Sequence, residues 1–174
     1  SVVADHDGHL WVLDAASPAI AGVVPGGAKL VKIDLGTNKV NQTITFDEEP
    51  APPYSYLNDV RFSPDNQTAY ITDSGLKGAL VVVDLKSGAA RRLLEGHPTT
   101  MPEKDVVVHT DGKELRRPDG RTAEFASDGI ELSKDGKHLY WQALTGKTLY
   151  RIPTDALRDA KVSNEGLGAH IGRV

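Results

Sequence analysis

Residues 57–75 read LNDVRFSPDNQTAYITDSG, and 70 residues later, residues 127–145 read SDGIELSKDGKHLYWQALT. Only Ser63/Ser133, Asp65/Asp135 and Tyr70/Tyr140 are identical in that register. The order of parts is nevertheless the same: a polar pair, an alternating strand, an Asp-containing turn, then a strand carrying an aromatic residue. Period-2 alternation with β-branched and aromatic residues marks strands, and Pro64-Asp65-Asn66 and Lys134-Asp135-Gly136 mark the turns between them.

Working outward, ALVVVDL (79–85), the Lys86-Ser87-Gly88 turn and residues 89–94 complete a unit of four short antiparallel strands. The later copy continues into residues 148–152. An earlier copy starts at the Asp7-Gly8 turn and runs through HLWVLD (9–14), AKLVKIDL (28–35) and KVNQTITF (39–46). The third strands KLVKIDL, ALVVVDL and TLYRIPT align. Recurrence of a whole four-strand unit is the signature of a β-propeller, so the expected class is all-β, with blades of four antiparallel strands. A β-sandwich would not repeat the entire pattern. The expected layout is one domain over 1–174, with blades at 1–46, 57–94 and 127–174. Region 95–126 is read as an insertion with a small hairpin around Thr110-Asp111-Gly112, covering one mouth of the propeller. The longest helix candidate is 154–160, capped by Thr154.

About three blades are present, and a propeller needs about four or more to close. The first unit also begins inside its first strand. The expectation is a segment of a larger propeller, or a chain that completes its ring by self-association.

Composition narrows the function. A formal charge of −4 and a pI near 5.8 leave no basic stripe for nucleic acid. Pairs such as Arg91-Arg92 and Arg116-Arg117 lie beside acids and read as solvated strand face. With no cysteine, thiolate metal sites and cysteine nucleophiles are excluded. No apolar run approaches a membrane span, no signal-peptide pattern shows, and the compartment stays open. The triplets Asn41-Gln42-Thr43 and Asn66-Gln67-Thr68 read as turn residues first.

The combination of YLNDVRFSP, AYITDSG and LVVVDLKSGAARRLLEGHPTTMPE with SDGIELSKDGKHLYWQALTGKTLYRIPTDALRD resembles the Yellow/major royal jelly protein family, in its bacterial branch. HLWVLDAA followed by KLVKIDLGTNKV is similar to that family's earlier blade. The resemblance covers nearly the whole chain and implies a six-bladed propeller, of which this chain would hold about half. More distantly, the Asn-Asp and Ser-Asp-Gly blade starts resemble the SMP-30/gluconolactonase superfamily, which implies a divalent cation at the channel. Two departures stand out: insect relatives usually carry cysteines, and the glutamate and later aspartate of the lactonase-type metal site have no match here.

In a propeller the innermost strands line the channel, so Asn58 and Asp128, at matched blade starts, are the leading site candidates. An amide carbonyl and a carboxylate suit a hard cation such as Ca²⁺ or Mg²⁺, and equally an amine. A structural role as blade-start caps competes evenly with both. Asp59 and Ser127 should alternate away from the channel. Asp73 ends a second strand near the same face, with Asp14 as its counterpart. Tyr54 and Tyr56, on the proline-rich 47–56 loop, are candidates for an aromatic ligand pocket. The six histidines show no metal-binding spacing, and His97 is the least structural of them. Three functions follow: a small-molecule binding propeller with Asn58, Asp128, Asp73, Tyr54 and Tyr56 as ligand contacts; a metal-dependent lactonase with Asn58 and Asp128 as cation ligands; or a protein-interaction module.

Overall fold

The computed structural model describes residues 1–5 and 7–174, so His6 lies outside the described residues. The first sheet takes β1 (Val2–Ala4), β2 (His9–Asp14), β3 (Lys29–Asp34) and β4 (Lys39–Thr45) in chain order. The second takes β5 (Leu57–Phe62), β6 (Thr68–Asp73), β7 (Ala79–Asp84) and β8 (Ala90–Leu93). A two-residue hairpin, β9 (His109–Thr110) and β10 (Lys113–Glu114), precedes the third sheet. That sheet takes β11 (Ser127–Leu132), β12 (His138–Ala143), β13 (Tyr150–Pro153) and β14 (Gly172–Arg173). All neighbours are antiparallel. The first strands meet: β5 packs on β1 and β2, and β11 on β5 and β6. Each sheet is a propeller blade whose first strand is innermost.

The repeated residues are explained by the turns. The Ser63 hydroxyl accepts from Thr68 N at 3.0 Å, and the Ser133 hydroxyl from His138 N at 3.0 Å. The Asp65 carboxylate accepts from Gln67 N at 3.1 Å, and Asp135 from Lys137 N at 3.1 Å. Each serine also donates to its aspartate. Asn66 and Gly136 occupy the left-handed position of the two turns, at φ 52° and 69°. In the first blade Asp5 alone serves, accepting from Asp7 N and His9 N, both at 2.9 Å. Ser-x-Asp is therefore turn chemistry.

Alternation along the second strands builds the seams between blades. Trp11 and Leu13 face the second sheet, where Trp11 stacks on Phe62 with centroids 5.0 Å apart. Tyr70, at the same register as Trp11, faces the third sheet among Leu80, Leu139, Trp141 and Ile152. Tyr140 holds that register too but is only half-buried, on the face turned away from the second sheet. It therefore does not join the inter-blade core. Both seams are apolar and buried, and their area supplies the main favourable term, at roughly 25 cal/mol per Å².

Between β13 and β14 lie α1 (Thr154–Arg158) and α2 (Asn164–Leu167). Thr154 is not the cap of α1. Pro153 occupies that position, and the Thr154 hydroxyl donates to Gly136 O at 2.8 Å, tying the helix to the β11–β12 turn. A four-residue helix such as α2 offers no 3.6 period to read, although its Ser163 cap, accepting from Gly166 N at 3.0 Å, is a recognisable signal.

The insertion is fastened down at Gly78, where a Cβ would lie 2.0 Å from Thr100 O and 2.6 Å from Ala126 Cβ. Both are rigid neighbours. Gly78→Ala is expected to destabilise the protein by about 1–3 kcal/mol, read as a lower urea midpoint at unchanged slope. An unchanged midpoint would show that the insertion yields freely there.

Candidate functional site

Both leading candidates stand on β-bulges. Pairing of β5 with β6 skips between Leu57 and Val60, and pairing of β11 with β12 skips between Ser127 and Gly129. The skipped residues are Asn58, Asp59 and Asp128. A bulge frees a residue from the ladder and re-aims its side chain, which is why bulges gather beside active sites. Neighbouring-blade hydroxyls hold the bulge on β11: Thr72 Oγ1 donates to Asp128 O at 2.8 Å, and Ser74 Oγ to Ser127 O at 2.6 Å. The Ser127 hydroxyl, fully buried, donates to Thr100 O at 3.2 Å.

Asn58 and Asp128 are brought together across the two blades. Burial pushes the Asp128 carboxyl above the ordinary aspartate range; the Asn58 amide and Ser74 hydroxyl partly offset this, while the Asp59 charge adds to it. Among the described residues Asp128 has no Lys, Arg or His at ion-pairing distance. Asp59, by contrast, is paired with Arg61 at 2.9 Å, and Arg61 also reaches Glu131 at 3.0 Å. Asp128 is thus a half-buried carboxylate with no countercharge among the described residues.

Asp73 sits elsewhere. It is fully buried and accepts from Tyr56 N at 2.8 Å, Gly75 N at 2.7 Å, Arg92 Nη1 at 2.6 Å and the Ser55 hydroxyl. Four donors saturate it. Asp73 belongs to the framework that pins the 47–56 loop to β6, not to a solvent-facing wall. Its counterpart Asp14 accepts from Ala16 N and pairs with Lys29, both at 2.8 Å. Arg92 is not the solvated strand-face residue that its sequence context suggests. Its side chain is 6% exposed, and it pairs with both Asp73 and Glu95. Glu95, three residues on, was the available signal.

Two hollows open at this mouth. One, of about 520 Å³, is lined by Asp14, Ser17, Tyr56 and Asn58. The other, of about 640 Å³, lies between the 47–56 loop and the insertion and is lined by Tyr54, Tyr56, Ser74, Met101 and Phe125. Tyr56 borders both, whereas Asp128 lines neither and lies against Asn58 and Ser74. Tyr54 is held in place: its hydroxyl reaches Glu95 at 3.2 Å, and Lys77 lies 5.2 Å above its ring.

Histidines contribute no cluster among the described residues. His9 binds Asp5 at 3.1 Å, His97 binds Thr99 Oγ1 at 2.9 Å beside the third sheet, and His109 and His170 are exposed. Nor do three or more Asp, Glu or His side chains gather among the described residues. Ca²⁺ takes six to eight oxygens and Mg²⁺ six. Asn58 and Asp128 have the right hardness but, as two donors, do not complete a cation site.

The model of the major royal jelly protein family matches residues 1–173. The chain belongs to that family. Among curated proteins, the chain is similar to a lactonohydrolase, oryL, of Aspergillus oryzae, at 27% identity over 147 residues, covering 82% of this chain and 32% of that protein. Among solved structures it is similar to a Lactobacillus plantarum protein (19% identity, TM-score 0.47, all of this chain and 39% of that one). Another is a hypothetical selenium-binding protein of Sulfolobus tokodaii (12% identity, TM-score 0.42, 87% of this chain and 50% of that one). The chain thus spans about a third of the length of its curated relative. This royal jelly family chain carries three β-propeller blades.

Proposed function

We propose that this chain carries part of a channel-mouth site for a small, amine-bearing ligand, with Asp128 as the charged contact and Asn58 as its polar neighbour. The unpaired, half-buried Asp128 carboxylate carries the reading. An ionised carboxylate withdrawn from water is costly without a countercharge, and an ammonium group supplies one together with charge-assisted hydrogen bonds. The bulge and the Thr72 and Ser74 hydroxyls hold it in position before the ligand arrives, which lowers the ordering cost of binding.

A second reading has one observation in its favour, the similarity to a lactonohydrolase. There Asn58 and Asp128 would contribute two oxygens toward a Ca²⁺ or Mg²⁺ ion, whose role would be to polarise a lactone carbonyl. The remaining ligands would come from outside the residues described.

Titration calorimetry with ethylamine, and separately with CaCl₂ and MgCl₂, tests both readings. Asp128→Asn is expected to weaken ethylamine about tenfold or more, some 1.4 kcal/mol. Equal affinity in the variant removes the assignment, and heat with the divalent salts alone favours the second reading.

The same substitution has a pH signature. Because the folded-state pKa of Asp128 is raised, its stability contribution is full below the ordinary value of about 3.9 and is lost as pH rises through the folded value. Asp128→Asn should therefore raise Tm at pH 7 and leave it unchanged near pH 3. A lower Tm at pH 7 would mean that the ionised carboxylate stabilises the fold.

A further inference from the structure

The cleft of about 640 Å³ beside the channel mouth lies within the size range of small-molecule sites. Its walls come from four separate loops: the 15–27 connection, the proline-rich loop, the β6–β7 connection at 74–76 and the insertion. Tyr54, Tyr56, Met101 and Phe125 give it an apolar, largely aromatic lining. Lys104 and Arg117 stand on its rim, both exposed. Neither has an ion-pair partner among the described residues; Arg117 only touches Glu124 O, at 3.4 Å. Of the two acids on the same wall, Glu103 is engaged by the backbone N–H groups of Lys147 and Thr148, at 3.2 and 2.9 Å. The wall thus carries two cations without an ion-pair partner among the described residues, Lys104 and Arg117, and two acids, of which Glu103 is held back by backbone donors.

The cleft also carries backbone strain on one lip. Ala19 and Ile20 are consecutive non-glycine residues in the left-handed region, at φ 53° and 58°, and the Ile20 side chain is 62% exposed. A β-branched residue there is a steric outlier, and such strain concentrates at ligand clamps.

We propose that this cleft is a second binding site, independent of Asp128, for a molecule with a ring-sized apolar body and a single carboxylate. The body lies along Tyr56, Met101 and Phe125, and the carboxylate is met by Arg117 and Lys104. Arginine suits this role because its planar fork matches a carboxylate's two oxygens.

Titration calorimetry with 4-phenylbutyrate, its uncharged amide 4-phenylbutyramide, and acetate tests the site. The expected result is binding of 4-phenylbutyrate, with the amide and acetate each at least tenfold weaker. Arg117→Glu, at an exposed position, should weaken 4-phenylbutyrate at least tenfold and leave the amide unchanged, whereas Phe125→Ala should weaken both. Asp128→Asn should leave all three unchanged, which separates this site from the amine site. Equal affinity for acid and amide, equal affinity for acetate and 4-phenylbutyrate, or no heat with millimolar 4-phenylbutyrate overturns the proposal.

Discussion

Arg92→Met is expected to destabilise the protein by about 3–5 kcal/mol, the range measured when one partner of a buried ion pair is removed. The guanidinium side chain is 6% exposed and the Asp73 carboxylate 0%, so neither charge can turn to water when the other is lost. Arg92 also pairs with Glu95 at 2.5 Å and donates to Lys77 O at 2.7 Å. Its loss therefore unties three segments at once. Urea unfolding of Arg92→Met, Asp73→Asn and the double variant measures the coupling. The double variant should recover part of the loss, since removing both charges is far cheaper than stranding one. Full additivity of the two single changes would show that the pair is not coupled. Because Asp73 also anchors Tyr56 N and the Ser55 hydroxyl, Arg92→Met should make the 47–56 loop the first site of limited proteolysis.

Trp141→Ala is expected to cost about 3–5 kcal/mol as well, by a different route. Trp141 is fully buried between the second and third sheets, stacks on Tyr150 at 5.9 Å, and donates from Nε1 to Thr99 O at 2.9 Å. Truncation opens a cavity in the seam and orphans the Thr99 carbonyl. Trp141→Phe separates the two terms. It keeps most of the apolar volume, and the remaining loss, about 1–3 kcal/mol, reports the unmet carbonyl. Tyr140→Ala is the control: one residue along the strand but half-buried on the opposite face, it should cost much less. Equal losses at 140 and 141 would contradict the seam described above.

The repeat that announces the blades was legible because turn chemistry is local. Ser-x-Asp followed by a left-handed Asn or Gly closes its hydrogen bonds within six residues, so the residues that make the turn are adjacent in sequence. The nearness of Asn58 to Asp128 was legible for another reason: matched positions in successive blades repeat the same place along the channel. Asp73 and Arg92 were not. Asp73 lies at the matched end of a second strand and has the chemistry of a ligand, yet its four donors come from positions 55, 56, 75 and 92. Arg92 alternates into the blade at a place where strand periodicity does not tell a solvated cation from a buried one. The Thr154 cap failed because the helix follows Pro153 directly and the hydroxyl finds a better acceptor in a turn 18 residues away.

Sequence by itself determined the all-β class, the four-strand unit and the two blade starts that meet at the mouth, because period-2 alternation and turn residues act over a few positions. Tertiary structure decided which carboxylates are free. Asp59, Asp73 and Asp128 are the same residue type on the inner strands of neighbouring blades, but an arginine neutralises the first two and nothing among the described residues neutralises the third. Charge compensation is set by distance in space, and only the packing of one blade on the next supplies it.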